Sequence, residues 1–214
     1  GKVRIVVSVD WEGMDLSAEN LAAMKEFGRD YPEVPLQHFL NAAYYTKPRA
    51  NAERITQAIR SVLRPGDEHA LHIHGWKSLF ERAGVTFRTR PVFEGEEVDL
   101  SKCTRDCGHE VPITAYTANE LRRVIRFSSD LLVKYGFDRP KSFRAGGWQA
   151  NKDVLTALAQ EGFTLDSSAV PREFLEADWG GTNLVVFLRQ LWPRTVSTTQ
   201  PYRIKLDPQL TITE

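Results

Sequence analysis

The chain has 214 residues, with 28 Lys plus Arg balancing 28 Asp plus Glu, and 42% of its residues are hydrophobic. That length suits one well-buried α/β domain, and the apolar content excludes general disorder. Charge balance gives no electrostatic ground for a nucleic-acid partner or an acidic membrane surface, and no apolar run approaches the roughly 20 residues of a membrane span.

The run Val3 to Val9 is β-branched and apolar and leads into Asp10. Ser17 reads as the N-cap of a helix through about Arg29. A second strand is predicted from Leu36 to about Tyr44, followed by a helix with Ala52, Ile55, Ala58, Ile59 and Val62 on one face. Pro65-Gly66 marks a turn, and Ala70 to His74 a third strand. Leu121, Val124, Ile125 and Leu132 give an amphipathic helix ahead of Gly136. A strand over Lys141–Ala145, a helix around Val154–Leu158, Gly162 at its C′ position and a strand over Thr164–Ser167 repeat the pattern. Repeated βα units imply a parallel sheet, open or closed into a barrel, with function at the carboxyl ends of its strands. Asp10, Asn41, His72, His74, Arg144 and Asp166 all fall at or just past such an end.

In "HALHIHGW", His72 and His74 share one face of a strand and can converge on a metal ion, while His69 faces the other way and reads as structural. In "VSVDWEG", Asp10 and Glu12 can stand over the same mouth, one binding metal and the other serving as general base; capping of the following loop is the plainer alternative. In "SFRAGGWQAN", Arg144 suits a partner that keeps a carboxylate ionised, and Gly146-Gly147 admits close approach to a ligand. Asp166 of "TLDSSAVP" would orient Arg144 or a histidine, with Ser167 and Ser168 as turn hydroxyls. Trp11, Trp76 and Trp148, with Asn41, are candidates to contact a sugar.

Taken in order, these segments resemble the polysaccharide deacetylase (NodB-homology) superfamily, in particular members with a His-x-His motif followed by Trp. Val9-Asp10-Trp11-Glu12 is similar to the first motif, "HIHGW" to the second, "FRAGGW" to the third and "DSS" to the fourth, over about residues 3–170. The resemblance implies a single α/β domain, 1–214, a distorted (β/α) barrel with an inserted segment at about 77–113. It implies a divalent metal, zinc foremost, held by His72, His74 or His109 with a carboxylate of Glu12 or Asp10. Asp10 would be the base, Arg144 its partner and Asp166 the group behind it. The reaction implied is hydrolytic removal of an N-acetyl group from a sugar of a polysaccharide or glycan precursor. A non-catalytic carbohydrate-binding barrel and a metal-dependent hydrolase of a non-sugar amide are the alternatives.

Two departures from the family pattern bear on the site. His109, in "CTRDCGHEVPI", competes with His74 as second ligand, and Cys103 and Cys107 either join His109 in a small zinc site or pair as a disulfide. The general acid that the family draws from a C-terminal Leu-x-His has no counterpart, since no His follows residue 109. The favoured expectation is a barrel incomplete at the C-terminus, "LTITE" reading as a strand cut short. No leader pattern is visible, which leaves cytoplasm and cell envelope both open.

Overall fold

The computed structural model describes residues 5–206 and 211–214. Its first strand, β1 (Val7–Asp10), is shorter than the predicted run; Ile5 and Val6 are exposed, and Val3 lies outside the described residues. Helix α1 (Ala18–Asp30) starts where expected, Ser17 Oγ accepting from Asn20 N at 3.1 Å. β2 (Leu36–Leu40) ends four residues before the predicted Tyr44. The cause is Asn41, whose Oδ1 accepts from Ala43 N at 3.0 Å and turns Ala42–Tyr45 into a buried 3-10 turn. Tyr45 of that turn stacks on Tyr135, ring centroids 4.2 Å apart.

α2 (Ala52–Arg60) and β3 (Glu68–Ile73) follow, and Ala70 to Ile73 are buried on both faces, as an interior parallel strand requires. α3 (Lys77–Arg82) opens a long irregular stretch with 3-10 turns at Leu100–Lys102 and Ile113–Ala115. In this stretch Phe80 and Phe93 are buried in the core. α4 (Ala118–Lys134) buries Leu121, Val124, Ile125 and Leu132, the stripe seen in the sequence. β4 (Ser142–Ala145), α5 (Lys152–Gln160) and β5 (Leu165–Asp166) complete the alternation. α6 (Arg172–Trp179), α7 (Asn183–Leu191), β6 (Arg203–Lys205) and β7 (Thr211–Thr213) close the chain.

The sheet has seven strands in the order β1-β2-β3-β4-β5-β7-β6. β1 to β5 are parallel neighbours in chain order, β7 joins β5 in parallel through Leu165 and Thr213, and β6 is antiparallel to β7. Laying successive parallel strands side by side in chain order, as β1 to β5 do, is how a (β/α) barrel grows, whereas a doubly wound sheet reverses direction. Among the described residues the sheet is not closed, with β1 and β6 at its edges. No helix among the described residues is long and apolar enough to cross a membrane.

α4 begins with a capping box that the sequence reading did not identify. Glu120 N donates to Thr117 Oγ1 at 3.4 Å, and Thr117 N donates to Glu120 Oε2 at 2.8 Å. Thr117→Ala is expected to lower stability by about 1 kcal/mol in denaturant unfolding, with the same unfolding slope.

Candidate metal centre

The parallel register delivers the polar residues to one edge. Asp10 ends β1, Asn41 follows β2, His72 is the penultimate residue of β3 and His74 the first beyond it, Arg144 is the penultimate residue of β4, and Asp166 ends β5. His72 sits opposite Arg144 in the β3–β4 register.

Glu12, on the loop after β1, comes together with His72 and His74, with a ligand-type atom of each within 4.8 Å of the others. His74 Nε2 is 2.5 Å from Glu12 Oε2, and His72 Nε2 is 3.8 Å from Glu12 Oε1, outside hydrogen-bond range. Both imidazoles are turned by their other nitrogen: His72 Nδ1 donates to the Arg144 carbonyl at 2.8 Å and His74 Nδ1 to the His109 carbonyl at 3.0 Å. A carbonyl only accepts, so each Nδ1 carries a proton and each Nε2 is the nitrogen that faces Glu12; the 2.5 Å contact of His74 Nε2 with Glu12 Oε2 needs a proton or a cation between the two atoms. His72 Nε2 is buried and has no hydrogen-bond partner among the described residues. Burial pushes the Glu12 carboxyl up, but His72 and His74 outweigh it and hold it well below the usual carboxylate range. Burial lowers the proton affinity of His74, partly offset by Glu12. The donor set of two imidazoles and one carboxylate, with a buried nitrogen unpartnered among the described residues, fits a divalent cation.

Beside it, Arg144 Nη1 donates to Asp10 Oδ1 at 2.7 Å and to Ser8 Oγ at 3.0 Å, while Nη2 and Nε donate to Ser167 Oγ and O at 2.9 and 3.1 Å. The guanidinium carbon lies 4.1 Å from the centroid of the buried Phe39 ring. Asp10 is thus fixed by an arginine that is itself fixed from β1, β2 and the end of β5. Asp10 and Glu12 line one cavity of about 520 Å³.

The other candidates are placed differently from one another. His109 contributes its backbone carbonyl to His74, while its ring stacks on Trp76 and its Nδ1 meets Glu110 at 3.0 Å. Trp11 and Trp76 are each 4% exposed. Their indole N–H groups are committed, Trp11 to His38 Nδ1 at 3.2 Å and Trp76 to the Glu12 carbonyl at 2.8 Å. Trp148 is half-buried, and its carbonyl accepts from Trp192 Nε1. Asn41 is buried under Gly13, its Nδ2 unpartnered. What presses on Gly146 is the His74 ring, for a Cβ there would lie 2.5 Å from His74 Nδ1. Cys103 and Cys107 are joined by a disulfide, which removes both thiolates as zinc ligands.

No family model matches the chain, and no curated protein sequence matches it. Among solved structures it is similar to a Mycobacterium smegmatis protein described as a "putative polysaccharide deacetylase", with a TM-score of 0.54 and 14% sequence identity. The two chains share a fold. The likeness covers 97% of this chain and 56% of the other, so the chain spans little more than half the length of that protein.

Residues missed from the sequence include Ser8, two before Asp10 on the same face of β1 and visible in principle from period-two alternation. Glu214 carried no such signal. Its carboxyl meets that of Asp166 in the interior, where Asp166 Oδ1 accepts from Ser168 Oγ at 2.7 Å, and Asp166 Oδ2 and Glu214 Oε2 have no hydrogen-bond donor among the described residues. Burial pushes both carboxyls up, and the Asp166 charge raises Glu214 further, so the pair retains a proton. A carboxyl raised on folding favours the folded state while protonated, and that contribution is lost as pH rises through its folded value. Glu214→Gln should therefore be more stable than wild type at about pH 8, by on the order of 1–2 kcal/mol, and lose that advantage toward about pH 5. Unfolding midpoints across pH measure this, and equal pH profiles would contradict it.

Proposed function

We propose that this chain is a metal-dependent hydrolase that removes an N-acetyl group from a sugar of a polysaccharide or glycan precursor. The observation that carries the reading is the buried, unpartnered Nε2 of His72 facing Glu12 and His74 at the mouth of the sheet. The shared fold with a protein described as a "putative polysaccharide deacetylase" supports the choice of bond and substrate class.

Glu12, His72 and His74 would hold the metal, zinc foremost, leaving room for water as catalytic rather than structural sites do. A divalent cation bound there would supply Lewis-acid chemistry, polarising the amide carbonyl and lowering the pKa of water. Asp10 accepts the proton of the attacking water. Its ion pair with Arg144, at 2.7 Å, keeps it aimed, and the guanidinium is itself held because Ser8 and Ser167 accept from three more of its N–H groups. His109 acts through its carbonyl, and Gly146 through the absence of a side chain, both by positioning the His74 ring. The burial of Trp11 and Trp76 leaves Trp148 as the candidate indole nearest to solvent, which favours a hydrolase over a binding module walled by aromatics.

Metal titration of the purified chain should saturate near about one divalent ion, lost in His72→Ala and weakened about 10–100-fold in Gly146→Ala. A chain that stays metal-free after incubation with zinc, cobalt and nickel would rule the reading out. Asp10→Asn should bind metal as wild type does and release acetate from N-acetylated oligosaccharides at least about 100-fold more slowly. Undiminished turnover in that variant would remove Asp10 from the mechanism.

A further inference from the structure

We infer that the cavity flanking the Glu12–His72–His74 cluster is a subsite for an anionic group, a carboxylate or phosphate ester carried by the sugar next to the one that reacts. This substrate class rests on the hydrolase reading above. The cavity, of about 900 Å³, lies between the loop after β1 and the N-terminal end of α2. Lys47, Arg49, Arg54 and Arg105 line it, and Asp15 is the one acidic side chain lining it. Two of the four cations are neutralised locally, Lys47 by Asp106 at 3.3 Å and Arg105 by Asp15 at 3.2 Å. Arg49 and Arg54 form no side-chain ion pair among the described residues. Glu53, the acid nearest in sequence, is outside the lining and accepts from Gln57.

Three further features fit an anion with a sugar attached. The N-terminal, positive end of the α2 dipole lies here, with Asn51 and Arg54 in the lining and Asn51 Oδ1 accepting from Arg54 N at 3.0 Å. Arg49 adopts φ 62°, a left-handed backbone that L-residues avoid, and this conformation is the one in which its side chain lines the cavity. Most of the remaining wall is apolar, with Leu21 and Ile55, which suits the C–H face of a pyranose. The cavity adjoins the one lined by Asp10 and Glu12, the two sharing Met14, Asp15, Leu16, Leu21 and Tyr44 as lining. A glycan lying across both would put its amide at the carboxylates and the charge of its neighbour at the arginines. Arginine forks match carboxylate and phosphate oxygens alike.

The test is calorimetric binding of three N-acetylated oligosaccharides of equal length to the metal-loaded chain: one neutral, one with a neighbouring uronate and one with a neighbouring phosphate monoester. At least one charged ligand should bind about tenfold or more tightly than the neutral one, with the advantage shrinking as salt is raised. The Arg49→Gln/Arg54→Gln variant should lose that advantage and keep the affinity for the neutral ligand. The ligand that gains distinguishes a uronate glycan from a phosphorylated one. Equal affinity for all three, no binding of any, or a preference that survives the double variant overturns the inference. Acetate release is followed separately. Turnover without charge preference leaves the hydrolase standing and removes the subsite, while charge-selective binding without turnover does the reverse.

Discussion

The guanidinium of Arg144 is the interaction on which the mouth of the sheet depends. It reaches from β4 to Ser8 and Asp10 on β1 and to Ser167 after β5, and rests on the Phe39 ring of β2. Strands that are not neighbours are thereby held by one rigid, permanently charged fork. The backbone carbonyl of the same residue orients His72, so one position sets both the carboxylate and an imidazole. An ammonium could not substitute, because the arrangement uses several N–H groups in fixed directions.

Much of this was legible in the sequence because parallel strands impose a rule. All their carboxyl ends meet at one edge, so polar residues recurring at strand ends had to be neighbours in space. Asp10, His72, His74, Arg144 and Asp166 could be singled out on that ground alone. The choice between His74 and His109 could not be read, since both stand near the strand end in sequence, and only the fold shows His109 turned onto Trp76 with its carbonyl toward His74. The early end of β2 escaped notice because the apolar run continues through Tyr45, while one Asn side chain diverts the backbone. Glu214 was invisible because its partner is 48 positions away in a different strand (214 − 166), and nothing local marks the pairing.

The stretch between α3 and α4 is held to the mouth by polar contacts more than by regular structure. Asp106 accepts from Ser78 N at 3.0 Å, from Ser78 Oγ at 2.6 Å and from Lys47 Nζ at 3.3 Å. Lys47 in turn lies 3.6 Å from the Trp76 ring centroid, a cation–π contact that joins this stretch to the indole holding the Glu12 carbonyl. The Cys103–Cys107 disulfide encloses Asp106, and so short a loop restrains the local backbone while adding little to the closure entropy of the whole chain.

Trp11 separates the two acidic residues and is nailed in the interior by a chain of bonds, Trp11 to His38 at 3.2 Å and His38 to Asp67 at 3.3 Å. Burial lowers the proton affinity of His38, partly offset by Asp67, and an indole N–H only donates, so the His38 Nδ1 is its acceptor. The two carboxylates on either side of this fulcrum differ in stiffness. Asp10 is gripped by Arg144, whereas the Glu12 side chain is 51% exposed on a loop. The compliance of the cluster is therefore concentrated in one arm. Ions of unequal radius would be accommodated by the swing of Glu12, while the geometry around Asp10 stayed unchanged.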